Sequence, residues 1–151
     1  MEEVKVADLM KSPKGVLRPS QTAFEAALAM READISSVLV VEQGTLLGIV
    51  TEHDIVQRVV ANGLDAKKVT LADIMSRPII FTTPQATILQ AAKLMTQYRI
   101  RRLPVVDRGR VVGIVTADDI AHYLAKLKDY SDEFLNALAR YSRPPIEGPY
   151  A

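Results

Sequence analysis

The sequence predicts an α+β fold built from two tandem β-α-β-β-α units. Two observations lead to this prediction. The chain repeats itself at a constant shift of 65 positions, so that residues 7–56 align with residues 72–121 without a gap and 19 of the 50 aligned positions are identical. Within each copy, apolar residues recur first at helical spacing and then in two valine-rich runs typical of strands. A unit of about 60 residues is small for an independent core, so we expect the two copies to pack on each other.

The first copy is predicted to contain an extended segment, a helix, two strands and a closing helix, in the order Val16–Arg18, Thr22–Ala33, Ser37–Val41, Leu46–Val50 and Thr51–Ala61. The strands meet at Gln43-Gly44, where a tight turn favours glycine with a positive φ. Their continuous apolar character indicates burial on both faces of the hairpin. The closing helix is expected to end at Asn62-Gly63, a favourable C-terminal cap.

The second copy repeats this order with elements at Ile79–Thr82, Thr87–Tyr98, Leu103–Val106, Val111–Val115 and Ala117–Leu127. Its hairpin turns at Arg108-Gly109. We therefore expect a first unit with its linker at 1–65, a second unit at 66–128 and a C-terminal helix and tail at 129–151. An apolar stripe containing Phe134 and Leu138 suggests the C-terminal helix.

Composition excludes several classes of protein. The formal net charge is +1, which gives no reason to expect a general binder of nucleic acid or of membrane surfaces. The chain contains no cysteine, which excludes disulfides, thiolate catalysis and cysteine-bound metals. No apolar run reaches the roughly 18–20 residues of a membrane span, and the acidic start Met1-Glu2-Glu3 is unlike a signal peptide, so a cytoplasmic protein is expected. The lack of cysteine and the scarcity of asparagine suggest a heat-adapted (thermophile) source.

One motif is specific enough to suggest a family. Residues 100–107 read IRRLPVVD and residues 113–119 read GIVTADD. This strand-strand-helix pattern resembles the cystathionine β-synthase (CBS) domain. The first copy keeps GIVTEHD at residues 48–54 but reads ISSVLVV at residues 35–41, where Ser36 and Ser37 replace the arginines and Leu39 replaces the proline.

The resemblance implies a stand-alone tandem pair, or Bateman module, with its sheets packed about a pseudo-twofold axis and two equivalent clefts. It also implies a homodimer of pairs and the binding of adenosine-containing ligands. We take AMP as the expected ligand, with ADP, ATP and S-adenosylmethionine as alternatives, and expect no required cofactor. A change in the arrangement of the pair would then be read by a downstream protein partner whose identity the sequence does not give.

The candidate ribose ligands are Thr51 with Asp54 and Thr116 with Asp119. Each pair has the Thr-x-x-Asp spacing of a helix capping box, so structural capping alone explains the residues. A carboxylate at a cleft-facing helix terminus can also accept both hydroxyls of a ribose, as in dinucleotide-binding folds. The two interpretations are compatible, and the resemblance favours ribose binding.

The candidate phosphate ligands are Arg101, Arg102, His53, Ser36 and Ser37. Guanidinium groups suit phosphate because they form paired, charge-assisted hydrogen bonds, although most arginine pairs are solvated surface charges. By the pseudo-symmetry of the family, the arginines belong to the Asp54 cleft and the serines to the Asp119 cleft. We therefore expect the Asp54 cleft to bind phosphate better.

The candidate base ligands are Ile79 and Ile80, assigned by the resemblance to the Asp54 cleft, and Lys14, Gly15 and Val16, assigned to the Asp119 cleft. Ordinary strand packing explains the same residues. Recognition of adenine by backbone groups leaves little signature in side chains.

No catalytic or metal-binding pattern is visible. The chain lacks a nucleophile elbow, a phosphate-binding Gly-rich loop and a paired-histidine motif, so a non-enzymatic protein is expected. His53 and His122 have no carboxylate cluster beside them that would make a metal site. The alternative to a nucleotide sensor is a dimerisation or scaffold module that binds no ligand, while nucleic-acid binding is poorly supported.

Overall fold

The computed structural model describes residues 3–77 and 79–128. These residues form two compact units. The Asp54 unit contains residues 12–77, 79–81 and 106–113, and the Asp119 unit contains residues 3–11, 82–105 and 114–128. Each unit therefore combines most of one repeat with the opening segment of the other. The C-terminal helix expected within 129–151 lies outside the described residues.

Most predicted elements are present in the predicted order, and two short helices that the sequence did not predict are added, at Val6–Leu9 and Leu71–Ile74. In chain order they are α1 (Val6–Leu9), β1 (Val16–Leu17), α2 (Ala23–Ala33), β2 (Ser37–Glu42), β3 (Thr45–Thr51), α3 (Glu52–Ile55), a π-helical turn (Val56–Val60), α4 (Leu71–Ile74), α5 (Ile88–Tyr98), β4 (Arg102–Asp107), β5 (Arg110–Thr116) and α6 (Ala117–Lys128). The α+β class is thus confirmed. None of the helices in the described part of the chain is long and apolar enough to cross a bilayer.

The five strands within residues 3–77 and 79–128 lie in the order β1-β2-β3-β5-β4. β1 pairs with β2 in parallel, β2 pairs with β3 as an antiparallel hairpin, and β3 meets β5 at the pair Thr45–Arg110. Both hairpin turns have two consecutive residues with positive φ: 51° and 83° at Gln43-Gly44, and 53° and 79° at Arg108-Gly109. The glycine prediction is confirmed, and the residue before each glycine also adopts the left-handed conformation.

The core of the Asp54 unit lies between α2, the hairpin strands and the closing helical segment. Its fully or nearly buried members are Ala23, Ala26, Met30, Val38, Val40, Val50, Val59, Leu71, Ile74 and Met75. Three consecutive residues of β2, 38–40, are buried, which confirms burial on both faces for that strand. In β3 burial alternates instead, because only Gly48 and Val50 are fully covered.

The Asp119 unit repeats this arrangement. Its buried apolar residues include Val6, Ile88, Ala91, Met95, Leu103, Val105, Val115, Ile120 and Ala125. The predicted strand Ile79–Thr82 is reduced to one parallel bridge between Thr82 and Val105, with a hydrogen bond of 3.0 Å from the Thr82 amide to the Pro104 carbonyl. The prediction of a short strand there was therefore wrong.

The first closing helix also differs from prediction. The sequence indicated one α-helix over Thr51–Ala61, but the chain is α-helical for one turn and then π-helical, and the Ala61 amide donates to the Val56 carbonyl at 2.9 Å. Gly63, with φ of 68°, follows the predicted end. Hydropathy patterns do not distinguish these two helix types, because each gives a similar exposed and buried face over so short a segment.

The short helices α1 and α4 are the two copies of the Ala-Asp-apolar-Met sequence, and each packs in the unit of the other repeat. After α1, Lys11 bridges to Ile114 of β5. After α4, Ser76 bridges to Ile49 of β3. Residues 11 and 76 are equivalent under the shift of 65 positions, as are residues 49 and 114, so the two exchanges have the same geometry.

Candidate functional site

The first candidate site is the head of α3 in the Asp54 unit. The Thr51 hydroxyl accepts a hydrogen bond from the Asp54 amide at 3.1 Å, and Asp54 Oδ2 accepts one from the Thr51 amide at 2.9 Å. These reciprocal bonds form the predicted capping box. Asp54 is only 6% exposed. The box therefore holds a nearly buried carboxylate in a fixed orientation.

The second oxygen of Asp54 faces the segment that follows α4. The Ser76 hydroxyl donates to Asp54 Oδ1 at 3.5 Å, and Arg58 Nε lies 3.9 Å from the same oxygen. Arg58 is itself held by backbone, because its Nη1 donates to the Ile74 carbonyl at 2.6 Å. In this carboxylate, Oδ2 is therefore hydrogen-bonded within the capping box, and Oδ1 makes longer contacts.

The second candidate site is the head of α6 in the Asp119 unit. Thr116 and Asp119 form the same capping box, with both hydrogen bonds at 3.1 Å. Asp119 Oδ1 makes an ion pair of 3.0 Å with Lys11 Nζ. The side chain of Asp119 is 13% exposed and that of Lys11 is 74% exposed. This second carboxylate is therefore paired with a cation that is mostly in solvent.

The candidate phosphate residues divide between the units. Ser36 and Ser37 lie beside the head of α3, because the Ser36 carbonyl accepts from the Glu52 amide at 3.0 Å and Ser37 pairs with Thr51. His53 is exposed in the first turn of α3. The Arg101 carbonyl accepts from the Ala117 amide at 2.9 Å, which puts its backbone beside the head of α6.

Arg102 begins β4, next to Arg101 in the chain, and is half-buried. The predicted pairing of the arginines with Asp54, and of the serines with Asp119, stays a prediction. The same holds for the expectation that the Asp54 cleft binds phosphate better.

The candidate base residues all belong to the Asp54 unit. Gly15 is buried, and its carbonyl accepts from the Leu39 amide at 2.9 Å. A Cβ at Gly15 would lie 2.7 Å from Ile35 Cδ1 and 2.9 Å from Val38 Cγ1, so a larger residue there would force these side chains to shift. Val16 is 44% exposed, and Ile79 and Ile80 are half-buried.

Sequence reasoning missed three side chains that contact the two aspartates: Lys11, Arg58 and Ser76. The available signal was the repeat itself. The Ala-Asp-apolar-Met sequence recurs in both copies, and Lys11 and Ser76 each follow its methionine directly. Because this segment is repeated but was assigned to no helix or strand, the repeat indicated that it makes a tertiary contact. The structure shows that each copy contacts the head of a closing helix.

Within the described ranges, no three histidine, aspartate or glutamate side chains lie together as metal ligands. His122 is exposed, and its Nδ1 is 2.7 Å from the Asp118 carbonyl oxygen, a contact within one helical turn.

Comparison with known proteins identifies the family. The sequence pattern of the CBS domain family matches the chain twice, at residues 6–61 and 71–126. The chain belongs to the CBS domain family and contains a tandem CBS pair.

Individual relatives and solved structures belong to the same family. The chain is 38% identical over 116 residues to the CBS domain-containing protein YhcV of Bacillus subtilis, covering 77% of this chain and 82% of that protein. Among solved structures, the CBS domain pair of protein MJ0100 in complex with 5′-methylthioadenosine and S-adenosyl-L-methionine has a TM-score of 0.73 and 31% identity, covering 84% of this chain and all of that one. Hypoxic Response Protein I, solved with two coordinated zinc ions, has a TM-score of 0.74 and 31% identity, covering 80% and 98%.

Proposed function

We propose that this CBS pair is a non-catalytic regulatory module that binds an adenosine-containing ligand, AMP or a close relative, through the Asp54 and Asp119 carboxylates. The observation that carries the proposal is the pair of matched helix heads. In both, one carboxylate oxygen is fixed by the capping box, and the other faces the opening segment of the sister repeat.

The chemistry of a carboxylate suits a ribose. An ionised carboxylate accepts hydrogen bonds only, with about four lone-pair positions on its two oxygens. A cis-diol supplies two donors at matching spacing, and the capping box removes the conformational freedom that the side chain would otherwise lose on binding. The threonine hydroxyl, which already accepts from the helix amide, can donate its own hydrogen to a ligand oxygen.

The location of the carboxylates suggests how binding is transmitted. Asp54 contacts Ser76 and Arg58, and Arg58 contacts the end of α4. Asp119 contacts Lys11, just after α1. A ligand on either carboxylate therefore changes the contacts of a segment that connects to the other repeat, and it favours one arrangement of that segment to the extent that it binds that arrangement better.

A solved relative supports the ligand class. The CBS pair of MJ0100 was crystallised with two adenosine derivatives, 5′-methylthioadenosine and S-adenosyl-L-methionine. The adenosine moiety is common to these molecules and to AMP, while the 5′ substituents differ. We therefore propose adenosine as the common determinant and AMP, ADP, ATP and S-adenosylmethionine as the ligands to compare.

Titration calorimetry with AMP on Asp54→Ala, Asp119→Ala and the double variant tests the proposal. Each single variant should lose one of the two AMP sites, and the double variant should lose AMP binding altogether. Asp73→Ala is the matched control, because Asp73 accepts a hydrogen bond from Thr70 at 2.9 Å at the head of α4 but is exposed. Unchanged AMP affinity in both single variants and in the double variant would remove the ribose assignment.

A thermal-shift panel of AMP, ADP, ATP, S-adenosylmethionine and NADH ranks the ligands. A ligand at a hundredfold excess over its Kd should stabilise the folded chain by about 2.7 kcal/mol. No shift with any of the five would favour the second candidate function, a dimerisation or scaffold module.

The observation that favours this second function is an apolar series along the π-helical turn and the residues that follow it. Val56, Val60 and Leu64 recur every fourth residue and are 53%, 66% and 50% exposed. Exposed apolar side chains of this size on one segment are typical of protein contacts. Sedimentation of Val60→Glu beside the unmodified chain tests it: a homodimer that uses this segment should dissociate, and unchanged mass would exclude the segment from the contact.

A further inference from the structure

The two aspartates have different neighbours at one equivalent position. Lys11 and Ser76 are related by the shift of 65 positions and both follow the repeated Ala-Asp-apolar-Met sequence. Each is fixed by the same backbone bridge, with the Lys11 amide 2.9 Å from the Ile114 carbonyl and the Ser76 amide 2.9 Å from the Ile49 carbonyl. The side chains differ: an ammonium lies 3.0 Å from Asp119 Oδ1, and a hydroxyl lies 3.5 Å from Asp54 Oδ1.

We infer that Lys11 competes with the ligand for Asp119 and makes the Asp119 site the weaker of the two for the ribose moiety. The inference rests on the proposed function and deepens it, because it names the residue that distinguishes the two sites. The capping box uses Asp119 Oδ2, and Lys11 Nζ pairs with the other oxygen, Oδ1. A ribose hydroxyl that donates to this oxygen must displace the ammonium or share the oxygen with it.

The Asp54 site has no such competitor at the equivalent position. Ser76 is neutral, and its hydrogen bond to Asp54 is long. The nearby cation, Arg58, is held elsewhere, because its Nη1 donates to the Ile74 carbonyl at 2.6 Å while its Nε stays 3.9 Å from Asp54 Oδ1. A ribose on Asp54 therefore displaces a hydrogen bond of 3.5 Å and an ion pair of 3.9 Å, whereas a ribose on Asp119 displaces an ion pair of 3.0 Å.

The size of the effect follows from the exposure of Lys11. The lysine side chain is 74% exposed, and ion pairs of exposed lysines contribute little free energy because solvent and salt screen them. Removing the competitor should therefore strengthen ribose binding at Asp119 by about 2- to 5-fold.

Adenosine is the probe that isolates this effect. It carries the diol but no phosphate, so the loss of a lysine has no direct charge effect on it, whereas AMP would also lose the attraction of the cation. Salt provides an independent readout. Because salt weakens the Lys11–Asp119 pair, the adenosine affinity of the Asp119 site should rise between about 0.05 and 0.5 M NaCl.

The experiment is titration calorimetry with adenosine on the full chain carrying Asp54→Ala, which leaves Asp119 as the tested site. Lys11→Ser in this background should strengthen adenosine binding by about 2- to 5-fold and abolish its rise with salt. Lys68→Ser is the control, because it removes the same charge from another exposed lysine. It should leave both the affinity and the salt dependence unchanged.

The reciprocal variant tests the same statement at the other site. In an Asp119→Ala background, Ser76→Lys introduces the lysine beside Asp54 and should weaken adenosine binding by a similar factor. Unchanged affinity in both Lys11→Ser and Ser76→Lys, with adenosine still bound, would overturn the inference and leave the proposed function standing. Absence of adenosine and AMP binding in the unmodified chain and in Lys11→Ser would overturn both.

Discussion

Arg58 and Ile74 are joined by a hydrogen bond of 2.6 Å, in which the guanidinium Nη1 donates to the carbonyl of the last residue of α4. The same nitrogen lies 3.4 Å from the Met75 carbonyl. Carbonyls at the end of a helix lack partners within the helix, and a cation is favoured beside them. Arg58 therefore caps α4 while it lies 3.9 Å from Asp54.

Replacing Arg58 should consequently destabilise the fold. Arg58→Met keeps an apolar stem but removes the donors to both carbonyls, and we expect the free energy of unfolding to fall by about 1–2 kcal/mol. Urea denaturation followed by circular dichroism measures it. Arg31→Met, at an exposed arginine of α2, is the control and should change stability by less than about 0.5 kcal/mol. Equal effects of the two variants would contradict the capping role.

Gly48 is required by the close approach of Met75. A Cβ at residue 48 would lie 2.5 Å from Met75 Sδ, 2.7 Å from Cγ and 2.8 Å from Cβ, and the Met75 side chain is buried. Gly48→Ala should therefore lower the free energy of unfolding by about 1–3 kcal/mol through overpacking. The thermal midpoint and urea denaturation both report this change.

A double-mutant cycle identifies the cause of that loss. Met75→Ala alone should cost about 2–5 kcal/mol because it leaves a cavity. If Gly48→Ala acts through the Met75 contact, the double variant should be less destabilised than the sum of the singles by more than about 0.5 kcal/mol. Strict additivity would show that the cost at residue 48 does not arise from the Met75 contact.

The two capping boxes should contribute similar stability, since their hydrogen bonds all lie between 2.9 and 3.1 Å. Thr51→Ala and Thr116→Ala should each lower the free energy of unfolding by about 1 kcal/mol, because each removes a side-chain acceptor for a helix amide. Thr→Ser at either position keeps the acceptor and should recover most of the loss. Chemical denaturation of the four variants without ligand measures this, and failure of serine to recover stability would point to the lost methyl group instead.

The repeat in the sequence predicts most of this fold. Regular elements of each copy are set by local patterns, such as the apolar stripe of α2 and the valine-rich run of β2, and both formed close to their predicted bounds. The capping boxes were equally predictable, because Thr-x-x-Asp defines its own hydrogen bonds within four residues.

Long-range contacts were not predictable in the same way. Lys11 reaches Asp119 across more than a hundred positions, and Ser76 reaches Asp54 because the opening segments are exchanged between repeats. No pattern within either copy specifies which copy its opening segment joins. The absence of a strand at 79–82 and the π-helical turn at Val56–Val60 have a comparable cause. In both segments, tertiary packing overrides the local propensity that the sequence pattern indicates.

The hairpin turns offer a stabilising substitution. Gln43 and Arg108 hold φ of 51° and 53°, a left-handed conformation that is unfavourable for long side chains and better tolerated by asparagine. Gln43→Asn and Arg108→Asn should each raise the free energy of unfolding by about 0.5 kcal/mol. The double variant measures the coupling of the two turns, because the Gly44 carbonyl accepts a hydrogen bond of 3.1 Å from the Val111 amide, close to the second turn. Gln43→Val, whose branched side chain is poorly suited to positive φ, should lower it. Thermal denaturation of the three single variants and the double variant measures the change in stability. A loss of stability in Gln43→Asn would show that the glutamine side chain makes a contact that stabilises the fold by more than the relief of backbone strain.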